Sequence, residues 1–436
     1  MIKNRVAIVS LLTGLNFLNY LDRFIVAAVL PQIQKDLNLS NFEGGLLATV
    51  FLLGYFATSP LFGMLGDRMS RKRLIAFGVF TWSVATFASG LAGNIYLLLV
   101  ARAFVGIGEA SYATLAPTII DDVSPPDKKG KMLAIFFLAT PVGSALGYLV
   151  GGLIQKEYSW HVAFFVGGAP GIALAVTCLW IQEPVRHHVD RAKQSITTTI
   201  RVLLRIPLYA RAVWGYCAHT AAIGAFAFWG PKFLSERFLA SFADVAVLTA
   251  DAAQKASLAK ANFIFGSVTV VAGALGTILG GWMCDRALRG LPPVPEGADH
   301  THPANLVQAN AQLRVCAIGV AIAFPATAAA FLSPSPLLFF IFAGIGEVGL
   351  FLSTAPINAI MLRTAPAWMR ASAMAVAIFC IHLFGDLWSP SIIGLLLDYV
   401  VATVAMMALP LTFGLAAFLW WPRAREAVAG YSSSKT

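Results

Sequence analysis

The sequence predicts an all-α membrane protein of twelve transmembrane helices, folded as two pseudo-symmetric six-helix bundles. Three observations carry this. Hydrophobic residues make up 58% of the 436 positions and charged residues only 12%, with a mean hydropathy of +0.75. A soluble chain of 46.5 kDa has no core large enough for that much apolar surface, so much of it must face lipid. Apolar runs of about 20 residues or more, the length that crosses a bilayer, recur from end to end. Finally, two phrases occur twice. Gly63-Met-Leu-Gly-Asp67-Arg68 returns 218 residues later as Gly281-Trp-Met-Cys-Asp285-Arg286, and Phe104-Val-Gly-Ile-Gly-Glu109 returns 238 residues later as Phe342-Ala-Gly-Ile-Gly-Glu347. Parallel repeats of membrane helices with carboxylates inside them point to a solute carrier.

The runs fall at 6–30, 42–66, 74–93, 95–120, 131–154, 161–182, 208–234, 259–284, 312–332, 336–362, 371–397 and 400–421. An N-terminal bundle over 1–182, a cytoplasmic linker over 183–207 and a C-terminal bundle over 208–436 are expected. An even number of spans puts both termini on one side. If that side is cytoplasmic, the cytoplasmic segments hold 23 Lys and Arg against six in the outer segments, so cytoplasmic termini are expected, in a protein of the inner (cell) membrane. The net charge of +10 comes from these bursts at membrane edges and not from one basic stripe, so no nucleic-acid partner is expected. Loops at 239–258 (outer, rich in Ala and Asp) and 287–311 (cytoplasmic, rich in Pro and Asn) are expected between spans. The first run carries Asp22-Arg23 and no small-residue cleavage site, so it reads as a retained helix. Cys178, Cys217, Cys284, Cys316 and Cys380 lie in or beside apolar runs and read as packing residues, with no disulfide and no metal spacing.

Gly63 to Arg73 reads GMLGDRMSRKR. Its glycines let two helices approach, and Asp67 stands where a carboxylate can pair with a base or a helix N-terminus. This resembles the signature loop G-x-x-x-D-R-x-x-R-[KR] of the major facilitator superfamily, although the second copy lacks the closing basic pair. In that family the loop gates the cytoplasmic side. The resemblance therefore implies gating roles for Gly63, Asp67, Arg68, Asp285 and Arg286.

Asp22 and Arg23 interrupt an apolar helix, and Arg102 and Glu109 interrupt another. Ionised groups at such depth are costly and seldom idle. With the first helix ending near Pro31, Asp22 and Arg23 would lie about 12–14 Å inside its outer end, Arg102 about 10 Å and Glu109 about 20 Å from theirs. All four charges are then expected to meet. Arg102 and Glu109, seven apart, share a face of one helix. A carboxylate whose ionisation is balanced between burial and a nearby arginine suits proton carriage; mutual neutralisation in a structural cluster is the plainer alternative. Thr140-Pro141-Val142-Gly143 with Gly147, Gly151 and Gly152 gives the fifth helix a small face suited to tight packing or a bend, and loosely resembles the antiporter motif of the superfamily.

The phrases LNYLDRFIVAAVLPQI, ARAFVGIGEASYATLAPTII and IHLFGDLWSP are similar to the spinster group of that superfamily, whose bacterial members resemble animal carriers of sphingosine-1-phosphate and lysophospholipids. The resemblance covers essentially the whole chain. It implies that Asp22, Arg23, Arg102 and Glu109 serve proton coupling and conformational change. In the second half it rests on Trp229-Gly230-Pro231, Glu347 and His382 to Pro390. Tyr20, Phe51, Tyr55, Tyr112, Phe136, Phe226 and Trp229 are expected to line a largely apolar cavity, with His219, Glu347, His382 and Asp386 as its polar positions in the second half. An apolar chamber with few charges suits an amphipath; a sugar site would offer more Asn and Gln.

The expected function is proton-coupled secondary transport of a lysolipid or sphingosine-phosphate-like solute by alternating access. A carrier of a small organic anion or drug-like compound is the alternative within the same class. A receptor or scaffold without transport is the alternative from another class, disfavoured by the repeated gating phrase. No nucleophile–base pair or metal constellation and no G-x-x-x-x-G-K-[ST] loop occurs in the spans, so neither an enzyme nor an ATP-driven pump is expected, and no cofactor. The expected partners are protons, the solute and membrane lipids, around a monomer.

Overall fold

The computed structural model describes residues 2–125, 129–183, 196–295, 299–366 and 369–421, almost all of them helical. The helices are α1 (Arg5–Leu37), α2 (Asn41–Arg68), α3 (Arg71–Ser89), α4 (Ile95–Val123), α5 (Lys129–Glu157), α6 (Trp160–Cys178), α7 (Ile196–Leu204), α8 (Pro207–Arg237), α9 (Leu239–Phe242), α10 (Ala250–Leu288), α11 (Pro303–Leu332), α12 (Pro336–Phe351), α13 (Thr354–Arg363), α14 (Arg370–Ile381), α15 (Ser389–Tyr399), α16 (Ala402–Met406) and α17 (Ala408–Trp420). A π-helical turn, His382–Asp386, joins α14 to α15. Pairing α12 with α13, α14 with α15 and α16 with α17 gives the twelve expected spans. Nine of them, among the described residues, are long and apolar enough to cross a membrane by length and composition alone.

Local chemistry sets the helix ends. Ser40 and Glu43 form a reciprocal capping box at the start of α2. Asn4 and Asn94 cap α1 and α4 through their side chains, and Asn38 ends α1 in the left-handed conformation at φ 51°. Two expected loops are shorter than the sequence suggests. α10 begins at Ala250 within the expected 239–258 loop, and α11 begins at Pro303 within the expected 287–311 loop. A proline in the first turn favours that start, because its missing N–H would be unbonded there anyway. α1 also continues through Pro31 to Leu37.

Two compact units emerge. The first comprises Met1–Val189, Ala227–Val270 and Pro390–Ala402. Within it α1 packs on α5, α2 on α4, and α3 on both α4 and α6. α4 shows why: Ala101, Arg102, Val105, Gly106 and Glu109 are buried, while Leu97, Val100 and Phe104 are exposed towards the surroundings that lipid would fill. A Cβ on Gly106 would overlap the Phe51 carbonyl of α2, so only glycine permits this approach. The glycine face of α5 behaves as expected: Gly143 and Gly147 lie against the α1 backbone at Phe17 and Leu21.

The second unit comprises Asp190–Phe226, Val271–Ser389 and Thr403–Thr436. Its α11 packs against α12, α13 and α17. The tenth span is not one helix. It breaks between Phe351 and Thr354, where Ser353 is buried. The eleventh carries the π-helical turn. Such interruptions inside an apolar environment free backbone groups that side chains or neighbours must satisfy. All five cysteines are buried and free.

Candidate functional site

Arg23 on α1 and Glu109 on α4 form an ion pair, Nη2 to Oε2 at 2.6 Å, with Glu109 fully buried and the Arg23 side chain 23% exposed. Helix arithmetic explains the match. Arg23 lies fourteen residues before the end of α1 at Leu37, and Glu109 lies fourteen after the start of α4 at Ile95. At 1.5 Å per residue both sit about 21 Å from the distal end of the unit, the end where α1 terminates. The depth expected from a helix ending at Pro31 is thus corrected, because α1 runs on for six residues beyond it.

Arg102 does not join this pair. It lies about two turns nearer the distal end. Its Nε donates to the Leu47 carbonyl at 3.3 Å, and its guanidinium rests 4.7 Å from the Phe51 ring. Asp22 is 1% exposed, and its Oδ1 has no hydrogen-bond partner. One step along a helix rotates a side chain by about 100°, so adjacent acid and base face different neighbours. Asp22 faces α6 at Gly167. Arg23 faces the rings of Tyr20, Phe51 and Tyr55, at 4.9, 4.9 and 5.5 Å. The four charges lie within electrostatic reach of one another, but only Arg23 and Glu109 make an ion pair.

Of the expected lining residues, Tyr20 and Tyr55 are half-buried beside Arg23. Tyr112 and Phe136 are core instead. Tyr112 is fully buried, stacked edge-on with Trp82, and its hydroxyl donates to the Leu12 carbonyl. Phe136 is 2% exposed against it. Large aromatic side chains at helix crossings fill volume whether or not a cavity lies near, and spacing does not separate the two uses.

In the second unit, His219 is 3% exposed among Tyr216, Phe413 and Trp420. Ser353 donates its hydroxyl to Leu350 O at 2.7 Å, which leaves its oxygen to accept from His219 Nε2 at 3.3 Å. The Nδ1 atom has no partner. His219 therefore ties α8 to the break in the tenth span. His382 and Asp386 pair at 3.0 Å across the π-helical turn. Glu347 is 5% exposed on α12, and Phe226 packs edge-on against Phe331 at 5.7 Å.

At the proximal end of the first unit, Arg71, the first residue of α3, is 7% exposed. It bonds Asp122 at 2.7 Å and Thr118 at 3.0 Å on α4, and Glu183 receives its backbone N–H at 2.7 Å. Lys72 donates to the Ile181 carbonyl. The side chain of Asp67 lies outside the described residues. Arg68, Asp285 and Arg286 are exposed, and the Arg286 guanidinium lies 5.7 Å from the Trp282 ring.

The distal end of the same unit carries a network with no motif in the sequence. Both oxygens of Asp398 accept the first backbone N–H groups of α2, Asn41 at 2.8 Å and Phe42 at 2.9 Å. Lys232 donates to Gln34 and Asn41 at 2.7 and 2.6 Å, and it lines a small pocket with Trp229 and Glu236. Trp229 is fully buried and donates to Pro390 O. Thr49 and Ser391 share a hydrogen bond at 2.7 Å. Lys35 meets Asp251 at 2.6 Å. These residues come from both sequence halves, and only their fold brings them together.

The sequence was compared with known proteins. The family profile of the Major Facilitator Superfamily matches residues 12–292. Human protein spinster homolog 1 is 35% identical over 404 residues, covering 90% of this chain and 72% of the human one. The Xenopus laevis spinster homolog 1 is 34% identical over 416 residues, covering 91% and 74%. This chain belongs to the major facilitator superfamily, in its spinster group. The spinster chain is thus a multi-pass integral membrane transporter and not an enzyme. Its fold is similar to that of a bacterial homologue of the human lysosomal transporter spinster, solved inward-facing and occupied, with TM-score 0.79, 21% identity and 99% of both chains covered. The nucleoside transporter NupG shares the fold at TM-score 0.68 and 14% identity, over 95% of this chain and 98% of that one.

Proposed function

We propose that this spinster-group transporter couples proton movement to the passage of an amphipathic, lipid-like solute by alternating access. Its two sequence halves, 1–182 and 208–436, move about the 183–207 linker, with both termini cytoplasmic in the inner membrane and the chain acting as a monomer. The observation that carries this reading is the buried Arg23–Glu109 pair. It is an ion pair between α1 and α4 with its carboxylate fully buried, and its arginine opens onto three aromatic rings. A proton on Glu109 removes the charge that holds Arg23. Arg23 is then available to an anionic headgroup, with Tyr20, Phe51 and Tyr55 supplying an apolar wall beside it. Asp67 and Asp285 serve the cytoplasmic gate. The structurally similar bacterial protein is a homologue of a lysosomal transporter, which agrees with a carrier that works across a pH difference.

The test is flux into proteoliposomes of purified protein, with labelled lysophospholipid, sphingosine phosphate and a small organic anion, each with and without an imposed pH gradient. Lysolipid or sphingosine-phosphate flux that rises with the gradient supports the proposal. Gradient-driven flux of the small anion alone would reassign the solute, and no flux of any of them under either condition would favour a non-transporting role.

A further inference from the structure

The fourth and tenth spans carry the same phrase, ending at Glu109 and Glu347, yet only the tenth is broken. α4 runs from Ile95 to Val123 without interruption, with Pro117 inside it. The tenth span stops at Phe351 and resumes at Thr354, with Pro356 in the first turn of α13. Both spans have a proline past the shared phrase, so proline by itself does not make the break. The residue six places after the glutamate differs. In α4 it is Leu115, whose side chain packs against Gly66 of α2. In the tenth span it is Ser353, fully buried and about 25 Å along the span from Pro336. Leu350 O accepts both the N–H and the hydroxyl of Ser353, at 3.2 and 2.7 Å, which draws the turn tight.

Three helices clasp this break. Pro356 has no N–H to give the Leu352 carbonyl. That carbonyl lies against Gly280 of α10, where any Cβ would overlap it. Cys316 of α11 offers its thiol to the Ser353 carbonyl at 3.9 Å. His219 of α8 donates from Nε2 to the Ser353 hydroxyl oxygen at 3.3 Å. Its ring is wedged among Tyr216, Phe413 and Trp420, with centroids 5.7, 6.2 and 5.6 Å away, so the donor has a fixed place. The two sides of the break are attached differently. α12 is seated by backbone: Val348 O is 2.6 Å from where a Cβ on Gly276 would stand, and Gly349 O overlaps that position on Gly319. α13 contains no glycine, and its far end is tied by a side-chain bond from Arg363 to Gln308. Backbones in close contact resist displacement, whereas a side-chain tie can exchange partners.

We infer that α13 swings on α12 about Ser353 during transport, and that His219 is the positioning residue that holds this joint bent. A single hydrogen bond at 3.3 Å is weak enough to open in each cycle, and its loss shifts a two-state joint by about tenfold at most. This rests on the reading of alternating access and adds to it a moving part within one unit.

Two pairs of spin labels test it on the full-length protein in nanodiscs, across a pH series with and without lysophospholipid. Labels at Ile341 and Leu362, exposed positions on either side of the break, report the bend. Labels at Arg73 and Arg289, one in each sequence half, report alternating access separately. The wild type should show two Ile341–Leu362 distances whose proportions follow the Arg73–Arg289 distance. His219→Phe keeps a ring in place and loses the bond, so it should raise the longer, straighter population by about two- to tenfold. His219→Gln, whose amide N–H reaches the place of Nε2, should restore wild-type proportions. His219→Asn, whose amide falls at the place of Nδ1, should not. A role in packing alone predicts that the two amides behave alike. Ser353→Ala should shift the joint in the same direction as His219→Phe, and adding His219→Phe to it should change nothing further. Wild-type proportions in His219→Phe, or equal behaviour of the two amides, would overturn the latch. A single Ile341–Leu362 distance in a wild type whose Arg73–Arg289 distance still varies would overturn the joint and leave alternating access standing. No variation at either pair would overturn both.

Discussion

Arg23 and Glu109 are held 2.6 Å apart, at equal depth, on two helices that enter the unit from opposite ends. Glu109 is fully buried, and Arg23 is its ion-pair partner. Breaking one partner of such a pair leaves a buried charge, which typically costs about 3–5 kcal/mol. The pair is thus strong while ionised and weak once the carboxylate is neutral, which is what a proton-driven switch requires.

Glu109→Gln should remove the pH dependence of transport, because a neutral amide mimics the protonated acid at every pH. Asp22→Asn should flatten it too. If the two act in one network, the double variant will deviate from the sum of the single effects by more than about 0.5 kcal/mol. Initial rates across a pH series, with circular dichroism to confirm folding, decide this. Wild-type pH profiles in both variants would return the charges to a structural role.

Arg71→Ala should lower the thermal unfolding temperature in detergent markedly. The expected loss approaches about 3 kcal/mol, the low end for a broken buried pair, since Asp122 and Glu183 are 20% and 21% exposed. Arg71→Lys should recover only part of it, because an ammonium cannot present separate donors to Thr118 and Asp122 as a guanidinium does.

Asp398→Asn should loosen the distal end. It removes the charge on two hydrogen bonds at the exposed start of α2, each charged bond being worth about 1.5 kcal/mol or less there. A change of 1.4 kcal/mol is tenfold in a population. Spin labels at Leu39 and Val401 should therefore show a longer-distance population that grows in Asp398→Asn and grows further with Lys232→Ala. Identical distance distributions in all three proteins would mean that the network does not hold the distal end closed.

Single cysteines at Ile196 and Ala250, in a background lacking the five native ones, report topology. An impermeant thiol reagent on whole cells should label position 250 and spare 196. The reverse pattern would invert the orientation inferred from Lys and Arg.

The sequence by itself determined the class of the molecule. Its apolar content exceeds what a soluble core can bury, the number of spans follows from the length of its runs, and Asp22, Arg23, Arg102 and Glu109 stand out because charge inside an apolar run is rare. It did not determine which charges pair. That depended on where α1 ends, and the six residues past Pro31 place Arg23 level with Glu109 and leave Arg102 two turns away. It did not separate core from lining, since Tyr112 and Tyr20 are both aromatic residues in amphipathic runs and only packing buries one and leaves the other beside Arg23. Nor did it reveal Asp398, Lys232, Asp122 or Glu183, which sit near span ends where charged residues are ordinary. Their partners are distant in sequence, and a hydrogen bond between helix ends leaves no periodic trace in the chain. Tertiary structure decided these because helix register and close glycine contacts fix depth and direction, which composition and spacing leave open.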